Sequence, residues 1–209
     1  MKKLLHIIAT PRGPDSRTLK VSDAFLEAFK RTHAGWVVEA LDVFKEDLPE
    51  LTVKRVDGKY MLLGGRDLTG EAKKSWAEVI AHIERFISAD GYLLSTPMWN
   101  FNIPYRLKHY IDVIVQPKYM FRYTEDGTPE GLVKDKKMVV VATRGGDYTT
   151  GAYRAFDFQE PYLRTVFGFV GIIDMDFVVA QPMDASGAEV QRTRLEEARG
   201  KAVKAAEDF

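Results

Sequence analysis

Five short apolar runs alternate along the chain with longer segments of helical periodicity. The runs are rich in apolar side chains and cover residues 3–10, 35–43, 91–95, 137–143 and 174–180. Short apolar runs of this kind are typical of strands buried on both faces of a parallel sheet. The segments between them repeat apolar positions every three to four residues, which indicates amphipathic helices. The alternation predicts an α/β fold, a doubly wound five-stranded parallel sheet with helices on both faces.

Local start signals place the predicted helices. Ser16 directly precedes the first helical stripe, and Thr69 is the expected N-cap of a strong stripe that reaches residue 87. Pro104 is expected at the first helical position of residues 104–115. Further helices are predicted over residues 160–171 and in the C-terminal segment.

Two segments depart from the simple alternation. Residues 44–67 are mixed in character, with one proline and several glycines, and are predicted to be a long excursion with no assigned helix or strand. Residues 119–133 alternate around a glycine-containing turn, which predicts a hairpin-like insertion. No repeat, low-complexity stretch or linker divides the sequence, so residues 1–209 are predicted to form a single domain.

Composition narrows the choice of partner and compartment. The 209 residues include 30 Lys plus Arg and 30 Asp plus Glu, so no net charge favours nucleic acid or an anionic membrane as a partner. The chain has no cysteine, which excludes disulfides, thiolate metal sites and a thiol nucleophile. The first apolar run is shorter than a signal peptide requires, and no stretch is long enough for a membrane helix. A cytoplasmic protein is expected.

The loop after the first predicted strand has the features of an anion site. Thr10 ends the strand, and Ser16, Arg17 and Thr18 stand at the expected start of a helix. Free amide groups and hydroxyls at a helix N-terminus bind phosphate well. A simpler interpretation is a Ser/Thr N-cap with solvent-exposed arginines, Arg12 and Arg17. The loop lacks both the G-x-G-x-x-G pattern and a Walker lysine, which argues against a dinucleotide fold or a P-loop.

The loops after the third and fourth predicted strands are suited to a flat ring. The stretch "STPMWNFNIP" places aromatic residues and asparagines between two prolines, and residues 97–101 can present amide groups to a ring edge. Residues 143–146 contain paired glycines, which let a backbone approach a ligand closely. The alternatives are aromatics that plug the end of the sheet and an ordinary turn. Ligands of doubly wound sheets bind at the carboxyl ends of the strands, and FMN fits the three loops together.

Four stretches carry a family resemblance, namely "ATPRGPDSRTLKVSDAF", "TPMWNFNIPYRLKHYID", "FRYTEDGTPEGLV" and "TRGGDY". They resemble the FMN-dependent NADH-azoreductase and quinone-reductase family of flavodoxin-like proteins, over nearly the whole chain. The most specific pattern is P-M-[YW]-N-F-x-[IV]-P followed by L-K-x-Y-[IF]-D. Trp99 stands where many members have tyrosine, whereas Thr10 and Thr18 replace serine and keep the hydroxyl.

The resemblance implies a flavodoxin-like fold and a role for each loop. The FMN phosphate would be held by Thr10, Ser16, Arg17 and Thr18. The isoalloxazine ring would be lined by Pro97, Met98, Trp99, Asn100 and Phe101, and its pyrimidine end contacted by Thr143, Arg144, Gly145 and Gly146. Phe121 and Phe169 would wall a substrate pocket shared between the subunits of a homodimer.

The implied reaction is a two-electron ping-pong transfer from NADH or NADPH through FMN to a quinone or azo compound. The flavin supplies the chemistry, so no catalytic side chain is predicted, and the four histidines show no spacing that indicates a metal site. A flavodoxin-type electron carrier and a flavin-binding regulatory protein are the alternatives. Carriers usually present a strongly acidic face, whereas this chain is neutral, and direct oxidation of NAD(P)H would distinguish the enzyme from both.

Overall fold

A five-stranded parallel sheet forms the centre of the protein in a computed structural model, which describes all residues 1–209. The strands of the chain are β1 Lys2–Ile8, β2 Trp36–Asp42, β3 Gly91–Pro97, β4 Phe121–Tyr123, β5 Pro129–Gly131, β6 Lys137–Thr143 and β7 Asp174–Ala180. The sheet has the order β2-β1-β3-β6-β7 with every pairing parallel. Because β1, β3 and β6 are neighbours, the three loops singled out in the sequence meet at one edge.

Six helices cover the two faces of this sheet. They are α1 Arg17–Thr32, α2 Val53–Leu63, α3 Gly70–Ile87, α4 Tyr105–Ile114, α5 Gln159–Phe169 and α6 Ala188–Glu207. Successive strand residues point to opposite faces, so Leu4 packs with the apolar residues of α1 and α6, and Leu5 with those of α3, α4 and α5. The predicted doubly wound architecture is confirmed. None of the helices combines the length and the apolar character that crossing a membrane demands.

Helix α2 lies within residues 44–67, where no regular element was predicted. That prediction was wrong for this part of the segment, because a glycine that looked like a break lies inside the helix. Gly58 faces the indole of Trp76 in α3, and a Cβ at this position would overlap the ring. Trp76 Nε1 donates a hydrogen bond to the carbonyl of Arg55 at 3.0 Å. The glycine therefore allows two helices to pack closely.

Two of the three predicted helix starts are confirmed. Ser16 is the N-cap of α1, and its hydroxyl accepts a hydrogen bond from the amide of Leu19 at 3.3 Å. Thr69 is the N-cap of α3, although its side chain makes no capping bond. Pro104 is the N-cap of α4 and not its first helical residue, because its ψ of 145° lies outside the helical region.

The predicted hairpin-like insertion is confirmed as the antiparallel pair β4–β5. It is fastened to the end of α5 by the amide of Val133, which donates to the carbonyl of Val170 at 2.9 Å. Gly131 lies so close to Val170 and Gly171 that a Cβ would overlap their backbone atoms. This close approach brings the ring of Phe121 to 4.6 Å from that of Phe169, between centroids.

A buried histidine lies in the middle of the sheet. His6 is 4% exposed, and its Nε2 shares a hydrogen bond of 2.8 Å with the hydroxyl of Ser95. Ser95 in turn bonds to the hydroxyl of Ser22 in α1 at 2.6 Å, and Ser22 donates to the carbonyl of Thr18. Burial lowers the pKa of His6 from its ordinary value to about 4, because the charged imidazolium loses its hydration there.

This lowered pKa makes folding sensitive to mild acid. Unfolded chains take up a proton at His6 below about pH 6.5, whereas the folded protein does so only near pH 4, so its stability falls as the pH drops between these values. We expect the contribution to change by about 2 kcal/mol between pH 7 and pH 5. Urea unfolding of His6→Gln, whose amide can still reach Ser95 but does not titrate, should lack this share of the pH dependence. If the free energy of unfolding changed equally with pH in both proteins, this pH dependence would not come from His6.

Candidate functional site

A cavity of about 240 Å³ lies where β1, β3 and β6 end. The residues that line it are Thr10, Arg12, Ser16, Arg17, Thr18, Pro97, Met98, Trp99, Thr143, Arg144, Gly145, Met183 and Asp184. The structure thus brings together most of the residues predicted to hold a cofactor, from three separate segments. Asn100, Phe101 and Gly146 do not line the cavity, although Asn100 directly follows Trp99 and Gly146 directly follows Gly145, which do.

The N-terminus of α1 forms one end of this cavity. The first-turn amides of a helix have no carbonyl four residues earlier within the helix, and those of Arg17 and Thr18 donate to no other acceptor. Together with the Ser16 hydroxyl and the positive end of the helix dipole, they form a donor set that suits a phosphate group. The Thr18 hydroxyl itself is buried and bonds to that of Thr143 at 2.7 Å, which connects α1 to β6.

The loop after β7 closes the same end and was not singled out in the sequence. The guanidinium of Arg17 donates to the carboxylate of Asp184 at 2.7 Å and to the carbonyl of Met183 at 3.1 Å. Gly145 holds this loop in place, because its carbonyl accepts the amides of Met183, Asp184 and Ala185 at 3.0–3.1 Å. The sequence did offer one signal for Asp184, because it lies just beyond the carboxyl end of the fifth strand of the sheet, where ligands of such sheets bind.

The aromatic loop contains a tight turn with an unusual occupant. Trp99 and Asn102 exchange two backbone hydrogen bonds of 2.8 and 2.9 Å, so Asn100 and Phe101 are the central residues of a two-residue turn. Both have left-handed φ angles, 46° and 70°, as in a type I′ turn, where glycine is preferred at the second position. A phenylalanine there is strained, and its ring is 44% exposed. Such strain is common at functional sites.

We expect the strain at Phe101 to be measurable by comparing two variants. Phe101→Gly and Phe101→Ala both remove the ring, but only glycine adopts the left-handed conformation freely. The glycine variant should therefore be more stable than the alanine variant by about 1 kcal/mol in urea unfolding. Both should bind FMN more weakly than the native protein in a fluorescence titration. Equal stability of the two variants would show that the turn is not strained.

The amides of this loop divide into two groups. Met98 donates to the carbonyl of Thr143 at 2.9 Å and Trp99 to that of Asn102, so neither is available to a ligand. The amides of Asn100 and Phe101 donate to no acceptor in the protein. The predicted donor edge over residues 97–101 is therefore narrower than expected.

A second free donor edge lies opposite, after β6. The amides of Gly145 and Gly146 donate to no acceptor. A Cβ at Gly145 would lie 3.0 Å from the Asp184 carboxylate, and one at Gly146 would lie 3.4 Å from the ring of Tyr148. The absence of side chains at these two glycines therefore leaves their backbone accessible to a ligand, although neighbouring side chains lie close.

The side chain of Arg144 does not belong to this donor edge. It is 3% exposed, and its guanidinium donates to Gln159 at 3.1 Å and to Asp157 at 2.9 Å. The sequence could not show where this side chain points, because both of its partners lie more than ten residues further along the chain, at the start of α5. The backbone amide of Arg144 is not a free donor either, because it donates to the carbonyl of Ala180 at 3.0 Å.

A larger cavity of about 890 Å³ lies beside the edge strand β7. Its lining is mainly charged, and most of these groups neutralise one another, as in the pairs Arg164–Glu160 and Arg194–Glu197, each at 2.8 Å. Ligand sites usually combine apolar walls with a few unpaired polar groups. The smaller cavity offers such unpaired polar groups, because the amides of Arg17, Thr18 and Gly145 in its lining have no acceptor.

The smaller cavity fits the FMN that the family resemblance implies. Free amides of α1 with the Ser16 hydroxyl suit the phosphate at one end. Free amides after β6 suit the acceptor atoms of the ring, and Trp99 provides an aromatic border. The donors are unpaired within the protein, which is the expected state of groups that await a ligand.

Comparisons with known proteins agree with this geometry. A family model described as flavodoxin-like fold matches residues 2–206. An FMN-dependent NADH:quinone oxidoreductase of Nitratidesulfovibrio vulgaris is 39% identical over 210 residues, covering 100% of both chains. The crystal structure of an azoreductase from Bacillus anthracis str. Sterne superposes with a TM-score of 0.90 at 31% identity, covering 100% of both chains. An FMN-dependent NADH-azoreductase from Bacillus anthracis str. Ames Ancestor, in complex with FMN, gives 0.84 at 31% identity, covering 99% and 100%.

Proposed function

Because the chain belongs to the flavodoxin-like family of FMN-dependent NADH:quinone oxidoreductases, we propose that it carries two electrons from NADH or NADPH to a quinone or azo compound. The observation that supports this most directly is the cavity itself. Residues with unpaired amides after β1 and after β6 line this one cavity, and Trp99 lines it with them. We also propose that residues 1–209 act as one FMN-binding domain.

Bound FMN would supply the hydride acceptance and the two-electron release that side chains do not provide. The residues of the chain position and stabilise it. Ser16 and the amides of Arg17 and Thr18 would hold the phosphate, with Thr10 beside them. Arg17 would act through its backbone, since Asp184 already neutralises its guanidinium.

The two glycines after β6 would have an electrostatic role. The amides of Gly145 and Gly146 would donate hydrogen bonds to the pyrimidine edge of the ring, where negative charge develops on reduction. Such preorganised donors stabilise charge without a rearrangement during the reaction. Met98, Trp99 and Phe101 would border the ring and keep water from it. No proton needs to be held by a carboxylate or histidine of the cavity.

A homodimer with a shared substrate pocket is part of the proposal. The hairpin β4–β5 and the end of α5 place Phe121 against Phe169, and Tyr123 of the same hairpin is 54% exposed. Exposed aromatic side chains are enriched at interfaces and ligand sites. A cytoplasmic location follows the composition and is proposed on that basis. Analytical ultracentrifugation, with twice the mass of one chain expected, tests the dimer.

The test of the function is an anaerobic titration of FMN-loaded protein with NADH, then NADPH, followed by benzoquinone. We expect the flavin absorbance to bleach with a pyridine nucleotide and to return with quinone at two electrons per flavin. Failure to take up FMN would overturn the proposal entirely. Bound FMN that neither nucleotide reduces would indicate an electron carrier or a regulatory flavoprotein instead.

A further inference from the structure

A buried polar network lies behind the proposed ring site and connects three segments of the chain. Its centre is Gln159, the first residue of α5, which is completely buried. Its Nε2 donates to the carbonyl of Pro97 at 2.9 Å, and its Oε1 accepts a hydrogen bond from Nε of Arg144 at 3.1 Å. One side chain thus spans the ends of β3 and β6.

The start of α5 does not need these two bonds. Oδ1 of Asp157 already accepts the amides of Gln159 and Glu160, at 3.0 and 3.1 Å, which caps the helix. Oδ2 of the same carboxylate accepts from Arg144 at 2.9 Å. The helix start and the arginine are therefore secured by Asp157, and the amide group of Gln159 is left for a different task.

The two groups that Gln159 joins are the direct neighbours of the proposed ring contacts. Pro97 precedes Met98 and Trp99, which line the cavity, and Arg144 precedes the free amide of Gly145. Donors stabilise developing charge only within a narrow range of distance, so the separation of the two loops decides how well they serve reduced flavin. We propose that Gln159 is a positioning residue that sets this separation and thereby favours the reduced cofactor over the oxidised one.

This inference rests on the proposed function and extends it to a residue outside the cavity. Removing the amide with Gln159→Met leaves Nε of Arg144 without its partner in a buried place, and leaves the Pro97 carbonyl only the Thr96 hydroxyl as a donor, at 3.2 Å. The two loops should then move more freely, since the bond from the Met98 amide to the Thr143 carbonyl remains as their direct link. Oxidised FMN, held mainly through its phosphate, should bind within about threefold of the native affinity. The affinity for reduced FMN should fall about tenfold more than the affinity for oxidised FMN, which lowers the two-electron midpoint potential by about 30 mV.

Gln116→Met provides the matched control. Gln116 is also a buried glutamine, at 1% exposure, two residues beyond the end of α4, and its Nε2 donates to the carbonyl of Asp112 in that helix at 2.6 Å, outside the cavity. Its loss should cost stability without changing the potential. The measurements are FMN affinity by fluorescence quenching, the midpoint potential against a reference dye, and amide hydrogen exchange of the apoprotein.

Hydrogen exchange tests the bridge without FMN. The amides of Met98 and Arg144 are protected by bonds to Thr143 and Ala180, and both should exchange at least about tenfold faster in Gln159→Met only. An unchanged potential, or an equal shift in Gln116→Met, would overturn the inference while the proposed function stands. A native protein that binds no FMN would overturn both, and unchanged exchange would show that Gln159 does not join the loops.

Discussion

Ser16→Asp is expected to weaken FMN binding by about 100-fold while leaving the protein at least as stable as before. Aspartate is as good an N-cap as serine, and a negative charge at a helix N-terminus is favourable, so α1 keeps its start. The same carboxylate would stand beside the phosphate of bound FMN. Repulsion between a unit charge and a phosphate dianion about 5 Å away, in a partly solvated site, amounts to about 3 kcal/mol.

Ser16→Asn is the control for this experiment. Asparagine has nearly the same shape as aspartate and also caps helices, but it carries no charge. FMN fluorescence quenching should show the large loss for aspartate and a small change for asparagine, with thermal unfolding of the apoproteins alike. Equal affinity of the two variants would mean that the phosphate does not lie at the start of α1.

Gly131→Ala is expected to destabilise the protein by about 3 kcal/mol or more. The added Cβ would overlap backbone atoms of Val170 and Gly171, which cannot rotate away as a side chain does. The hairpin β4–β5 must then move off the end of α5, and the contact between Phe121 and Phe169 opens. Urea unfolding measures the loss, and reduction of bulky quinones should fall with it.

Gly168→Ala serves as the matched substitution. Gly168 lies inside α5, three residues before Gly171, and a Cβ there would meet no atom within 4 Å. Alanine is the better helix former, so this variant should gain up to about 1 kcal/mol. A similar loss from both substitutions would show that α5, and not the fit of the hairpin, is the sensitive element.

The sequence was sufficient where the pattern of apolar positions determines the structure by itself. The five strands and the hairpin are confirmed, because buried parallel strands and alternating hairpins leave plain signals in a single chain segment. Helix α2 was missed because Gly58 is required there by its contact with the indole of Trp76, a residue eighteen positions away. A glycine that breaks a helix and one that admits an indole ring look alike before the partner is known.

The candidate site was predictable in its backbone and less so in its side chains. The topology rule brought Ser16, Trp99 and Gly145 to one cavity. It gave no sign that the Arg144 side chain points away from that cavity, or that Asp184 engages Arg17. These contacts join residues far apart in the chain through hydrogen bonds, which leave no periodic pattern in the sequence.

The strand order also decides when the cavity comes into existence. Strand β1 pairs on one side with β2, the next strand in the sequence. On its other side it pairs with β3, which is far along the chain, as in the pair of Leu4 with Gly91. Contacts between residues so distant in sequence require the closure of long loops and form slowly. The cavity needs both the β1–β3 and the β3–β6 pairings, so we expect it to be completed late in folding. FMN should therefore enter a chain whose sheet is already assembled, and refolding of the sheet should proceed at the same rate with or without the cofactor.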